Sequence, residues 1–162
     1  MNAANKPSQP TTHQFVYYKN KVIVLMYHHS DVKESSETIS PSRFNALMKV
    51  LKDNGYHVIS VEQFADFMHN KTTVPDNAVV ITFDDGYETA EYKARVEEDV
   101  IAFPYGVYSP TVKQIEKNAG VTLFFTTKPG INKQGTDEIF RLNAGSPSLS
   151  STKFLERLKK YR

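Results

Sequence analysis

The sequence predicts an α/β domain with a mostly parallel sheet, on three observations. Apolar runs of strand length recur at Val22–Tyr27, 79–83 and 121–126, without the alternation of a half-solvated strand, as in a sheet covered on both faces. Between them lie segments with helical apolar spacing that open on Ser or Ser-Pro. The first two runs end in chemistry-bearing side chains, His28-His29 and Asp84-Asp85, and the carboxyl ends of parallel strands are where α/β sheets keep their reactions.

Taken in order, residues 1–20 read as a flexible lead-in, because 1–13 is rich in Asn, Pro, Ser, Thr and Gln, and residues 21–162 read as a single domain. The strand 22–27 is followed by a polar loop over 31–38. Ser40 caps a helix with Pro41 at its first position, Phe44, Leu47, Met48 and Leu51 on its inner face, and Gly55 as its left-handed stop. A short strand at 57–59 leads to a second helix capped by Ser60 with Gln63, which buries Phe64, Phe67 and Met68. The spacing predicts a strand over 79–83, an exposed crossover helix over 87–100, a strand over 101–105, and a helix opened by Ser109-Pro110 that runs through Val112 and Ile115 to Gly120. Residues 121–126 form the next buried strand, 128–138 a long loop, 139–142 a closing strand, and 150–161 an amphipathic helix with Phe154, Leu155 and Leu158 inward.

Composition narrows the function classes. A chain of 162 residues, 40% hydrophobic, can bury a real core. Its net charge of +2 gives no argument for nucleic acid or a membrane surface. With no cysteine there is neither a disulfide framework nor a thiolate metal site. No apolar run is long enough to span a bilayer, and the N-terminus lacks the basic-then-apolar pattern of a signal peptide.

The stretch 79–87 organises the chain, since an apolar strand delivers two adjacent carboxylates and Gly86 at its end. Two neighbouring Asp residues are not both cheaply desolvated, so one is expected to meet a cation or donor while the other accepts a proton. A plain Asp-Gly turn with solvated carboxylates is the alternative. Of His28 and His29, only one can face a pocket, because side chains alternate along a strand. His57 and His69 read as structural or solvated.

Thr82-Phe83-Asp84-Asp85-Gly86-Tyr87 resembles the signature of the polysaccharide deacetylases, the carbohydrate esterase family 4 or NodB-homology group. Val24-Leu25-Met26-Tyr27-His28-His29 and 51–60 resemble the opening segments of its Gram-positive extracellular branch. Ile101-Ala102-Phe103-Pro104-Tyr105-Gly106 resembles its third motif, and 126–132 its late loop. The resemblance runs in the family's order from Val22 to Leu142. It implies a shortened or opened version of an irregular (β/α) barrel, hydrolysis of the C–N amide bond of N-acetylglucosamine residues in a cell-wall or exopolysaccharide polymer, and an extracellular or cell-surface address. It further implies Asp84 as catalytic base, Asp85 as a ligand of zinc or another divalent cation, and His28 near the centre, where it could lend a second ligand. The Tyr105 N–H would face the oxyanion, with Pro104, Gly106 and Tyr87 contacting substrate.

Three departures follow. The family's second motif, a His pair completing the metal site, has no counterpart: the five histidines are His13, His28, His29, His57 and His69, all before Asp85. Residues 87–100 replace a much longer family interval, as though an internal deletion joined two helices near Tyr92 or Lys93. Ala102 stands where many members carry an Arg that orients the catalytic Asp. These departures imply a base with half a metal cage, weak metal binding and impaired turnover. A catalytically inactive carbohydrate-binding or scaffold module is the rival, and a non-functional truncated product a third reading. Loss of strand and helix units would open the barrel and expose strand edges, with self-association as one consequence. Tyr87, Phe103, Tyr105 and Tyr108 are aromatics that could stack on sugar rings or pack locally.

Overall fold

The computed structural model describes residues 15–84, 100–106 and 108–161. The expected crossover helix, the join near 92–93, Asp85 and Tyr87 fall outside the described residues.

The apolar run Val22–Tyr27 is β1, fully buried along its length. It pairs in parallel on one side with β5 (Ala78–Phe83) and on the other with β9 (Arg141–Asn143), and β4 (His57–Val58) pairs in parallel with β5. A second parallel sheet holds β6 (Val100–Ala102), β7 (Leu123–Phe125) and β8 (Glu138–Ile139). The expected closing strand over 139–142 is thus two strands that meet at Phe140. Its first part pairs with β7 and its second with β1, so one extended stretch carries the sheet from one half to the other. The described strands form an open arc, β4-β5-β1-β9 continued by β8-β7-β6. The expected loop over 31–38 lies largely between β2 (His29–Ser30) and β3 (Thr38–Ile39), which pair with each other.

Both faces of β1 are covered, which is why its sequence does not alternate. Ile23, Leu25, Tyr27 and Val79 pack with Leu47 and Leu51 of α1 (Pro41–Asp53) and with Phe154 and Leu158 of α4 (Ser151–Lys159). Val22, Val24, Ala78 and Val80 pack with Phe64, Phe67 and Met68 of α2 (Val61–Met68) and with Leu123 and Phe125. The four helices, including α3 (Pro110–Asn118), open on Ser40, Ser60, Ser109 and Ser150, each hydroxyl accepting the backbone N–H three residues on.

Two expectations are corrected. The strand read over 101–105 ends at Ala102, because Pro104 removes a ladder donor and residues 104–106 wind into a tight 3-10 turn. The lead-in placed over 1–20 ends in a packed stretch. Asn77, fully buried, accepts the Tyr17 and Tyr18 N–H groups at 2.7 and 3.2 Å and donates to the Phe15 and Gly55 carbonyls.

Candidate active site

Because β1, β5 and β9 run parallel, as do β6 and β7, Asp84, His28 and the turn after β6 all follow carboxyl ends of strands. Asp84 directly follows β5 and shares parity with Ala78, Val80 and Thr82, the face that looks toward β7. Its backbone N–H donates to the Tyr27 carbonyl at 2.8 Å, which extends the β1–β5 ladder by one step.

The Asp84 carboxylate is gripped by Arg141. Nη1 donates to Oδ1 at 2.5 Å and Nη2 to Oδ2 at 2.8 Å, a bidentate fork. Arg141 is 1% exposed and makes further contacts. Nε donates to the Thr126 carbonyl at 2.8 Å, Nη1 also reaches the Thr82 hydroxyl at 3.4 Å, and the guanidinium lies over the Phe125 ring. One side chain therefore ties β5, β7 and β9 together beneath the carboxylate. Sequence reasoning sought this Arg at position 102 and missed it at 141. The signal was present, since a guanidinium inside the apolar stretch 139–142 demands a buried anion.

His28 lies between β1 and β2, one residue past the Tyr27 carbonyl that holds Asp84. Its Nδ1 is 3.3 Å from a Glu37 carboxylate oxygen, within ion-pair distance but outside hydrogen-bond geometry. A carboxylate behind an imidazole suits a metal-binding His and a proton-carrying His alike. His29 faces Asp31 instead, at 3.9 Å. His57 Nδ1 lies 2.8 Å from the Asp76 carbonyl and His69 Nε2 lies 2.9 Å from the Thr122 hydroxyl, both away from Asp84 along the chain and in the fold.

The turn after β6 completes the rim. Tyr105 has φ 57° and ψ 10°, a left-handed backbone that a bulky residue rarely adopts, and its side chain is 93% exposed. Gly106 follows at φ 65°, where a Cβ would sit 2.4 Å from the Thr127 hydroxyl, so only glycine fits. Thr127 is adjacent to Thr126, the residue that receives Arg141 Nε, which links this turn to Asp84 through two contacts. Burial pushes the neighbouring Tyr27 phenol well above its usual range, so it stays neutral.

A metal finds few donors here. Among the described residues no three His, Cys, Asp or Glu side chains converge, and both oxygens of Asp84 already face Arg141. The described residues alone do not fit a tetrahedral zinc site, which takes three protein ligands and an open position.

No protein-family profile matches the chain. The solved structures that superpose on it include the Streptococcus pyogenes deacetylase PplD in complex with acetate, with TM-score 0.68 and 18% identity over 87% of this chain and 99% of that one. IcaB from Ammonifex degensii superposes with TM-score 0.70 and 16% identity, over 86% of this chain and 97% of its own. The fold is that of the polysaccharide deacetylases. The deacetylase fold is matched in sequence by the Escherichia coli poly-β-1,6-N-acetyl-D-glucosamine N-deacetylase, 27% identical over 104 residues, 62% of this chain and 15% of that protein. Bacillus subtilis YxkH, named as a polysaccharide deacetylase, is 36% identical over 67 residues, 41% of this chain and 24% of its own. The alignments thus span a quarter or less of these curated relatives.

Proposed function

We propose that this chain is a polysaccharide deacetylase-type domain that receives N-acetylglucosamine-containing polymer at the Asp84 rim and hydrolyses its amide poorly. The observation that carries the reading is the Asp84–Arg141 fork at a strand end, on a fold shared with deacetylases. Hydrolysis of an acetamido group needs a base for the attacking water and donors for the developing oxyanion. Asp84 is the base, fixed in one rotamer by Arg141 with a lone pair left on each oxygen. The Tyr105 N–H is the oxyanion donor, and Pro104 and Gly106 set the turn that aims it. Tyr87 borders the substrate.

Zinc or another divalent cation would polarise the carbonyl and acidify water. Asp85 and His28 supply two donors toward it, one short of a cage, and the sequence has no histidine after Asp85 to add a third. Binding is therefore weak and turnover impaired, as an internal deletion of the His-pair segment would produce. The donor shortage equally favours the second reading, a catalytically inactive carbohydrate-binding or scaffold module. Polymer as partner points to an extracellular or cell-surface setting, and no helix among the described residues is long and apolar enough to cross a membrane.

Acetate release from N-acetylglucosamine oligomers, by this chain and by Asp84→Asn, tests the reading alongside calorimetric zinc titration with an Asp85→Ala control. We expect little release, and zinc binding that is weak in the parent and weaker still in the control. Ready, multiple-turnover release that Asp84→Asn abolishes would overturn the impairment. Oligomer binding without release would favour the binding module, and neither binding nor release would remove the carbohydrate reading altogether.

A further inference from the structure

Of the four aromatics that the sequence offers for stacking on sugar, three fall within the described residues, and their surroundings separate them. Phe103 and Tyr108 stack on each other with centroids 4.8 Å apart and both contact Phe124, and the Tyr108 hydroxyl donates to Glu138 at 2.7 Å. Those two are packing. Tyr105 is 93% exposed, and its backbone sits at φ 57°. A side chain with a Cβ is disfavoured there, and a ring that buries almost nothing gives no packing in return. The turn cannot relax easily: the Gly106 N–H donates to the Phe103 carbonyl at 2.9 Å, and Thr127 closes the space above Gly106. The fold thus holds a large aromatic in solvent, in a strained conformation, at a fixed place on the rim.

Resting on the carbohydrate reading, we propose that the Tyr105 ring is the platform on which a pyranose ring of the polymer stacks, in a subsite flanking the sugar presented to Asp84. A pyranose has an apolar C–H face that matches the negative face of an aromatic ring, with hydroxyls around its edge. Beside the turn, a cavity of about 540 Å³ is lined by Gly106, Tyr108, Pro110, Lys113, Lys128 and Glu138. Lys128, with its side chain 63% exposed, and the Glu138 carboxylate 3.6 Å from it offer a donor and an acceptor to those hydroxyls. A stacking ring next to a small, mostly apolar cavity with a few charged groups on its wall takes a neutral polyhydroxylated ring rather than an anion, because the Lys113 charge is already met by Asp137 and Glu138.

The test is binding of a β-1,6-linked N-acetylglucosamine hexamer, followed by saturation-transfer NMR and calorimetry, to the full chain and to Tyr105→Phe and Tyr105→Gly. Tyr105→Phe keeps the ring and should bind within about twofold of the parent. Tyr105→Gly should bind roughly tenfold more weakly, a loss of about 1.4 kcal/mol. Glycine is at ease at this φ, so the same variant should melt about 2–4 °C higher, the opposite of what loss of a structural side chain does. Unchanged affinity in Tyr105→Gly, or a lower melting temperature, would overturn the platform while leaving the carbohydrate reading intact. No binding by the parent chain would overturn both.

Discussion

Arg141 and Asp84 define the site at the residue scale. A guanidinium that is 1% exposed is tolerable because all three of its nitrogens donate hydrogen bonds, and Asp84 supplies the opposing charge. Removing one partner of a buried pair leaves the other desolvated and unpaired, at a cost of about 3–5 kcal/mol. Arg141→Leu should therefore destabilise the chain by about that much in urea unfolding, and adding Asp84→Asn should recover part of the loss. Additivity of the two substitutions would mean that the fork contributes nothing. Asp84 was legible in the sequence because an apolar run that stops at a carboxylate describes a strand end by itself. Its partner was not, since 57 residues separate them and periodicity says nothing about which distant side chain faces which. Tyr105 was legible as a site residue only by resemblance, and its left-handed backbone follows from Pro104, Gly106 and the Thr127 contact acting together.

At the scale of elements, α3 is held differently from the other helices. α1, α2 and α4 each bury two or more apolar side chains, whereas α3 buries none and leaves Val112 and Ile115 exposed. What attaches it is charge: Lys113 Nζ lies 3.0 Å from Asp137 and 3.1 Å from Glu138 and sits over the Phe124 ring, and Lys117 bonds Asp137. Burial alone would raise Asp137, but hydrogen bonds from Lys117 and Lys113 outweigh it and hold the carboxyl below its usual range. Hydrogen bonds from Tyr108 and Lys113 hold Glu138 down in the same way. Burial would lower Lys113, yet its bonds to the same two carboxylates raise it. Depressed carboxylates contribute stability that is fully present above their unfolded values, near pH 4, and lost as pH falls through the folded ones. The raised Lys113 contributes below about pH 10 and loses its contribution only above that. Acid should therefore loosen α3 first, read as faster amide exchange in 110–118 as pH falls below about 4. Lys113→Met should cost about 1–2 kcal/mol near neutrality and flatten that acid limb. Acid limbs that coincide would sink the idea. The serine caps made the helices easy to place, but the cap pattern cannot say whether a helix is seated by apolar burial or by ions.

On the scale of the whole molecule, the parallel α/β class was legible because β1 and β5 are apolar on both faces. An opened barrel was implied by the resemblance, but the strand order that builds the arc was not legible. Its continuity depends on the stretch 138–143 changing partner at Phe140, from β7 to β1, which an apolar pattern of period two cannot encode. The arc ends at β4 on one side and β6 on the other, and among the described residues neither has an outer partner. Val58 on β4 is more than half exposed and β6 is nowhere buried, so apolar surface accompanies the free edges. Open strand edges with apolar side chains pair with other edges unless charge or bulk prevents it. A symmetric dimer needs one patch that is its own complement, and two copies of β6 running antiparallel across a two-fold axis satisfy that. The chain should therefore show concentration-dependent self-association by sedimentation velocity. Ala102→Lys, at the exposed end of β6, should weaken it without lowering the melting temperature by more than about 2 °C. β6 is short, so the pairing it supports is weak, on the order of micromolar or weaker, and saturating oligosaccharide at the neighbouring turn should compete with it. A chain that stays monomeric at hundreds of micromolar would place the cover for β6 within its own sequence.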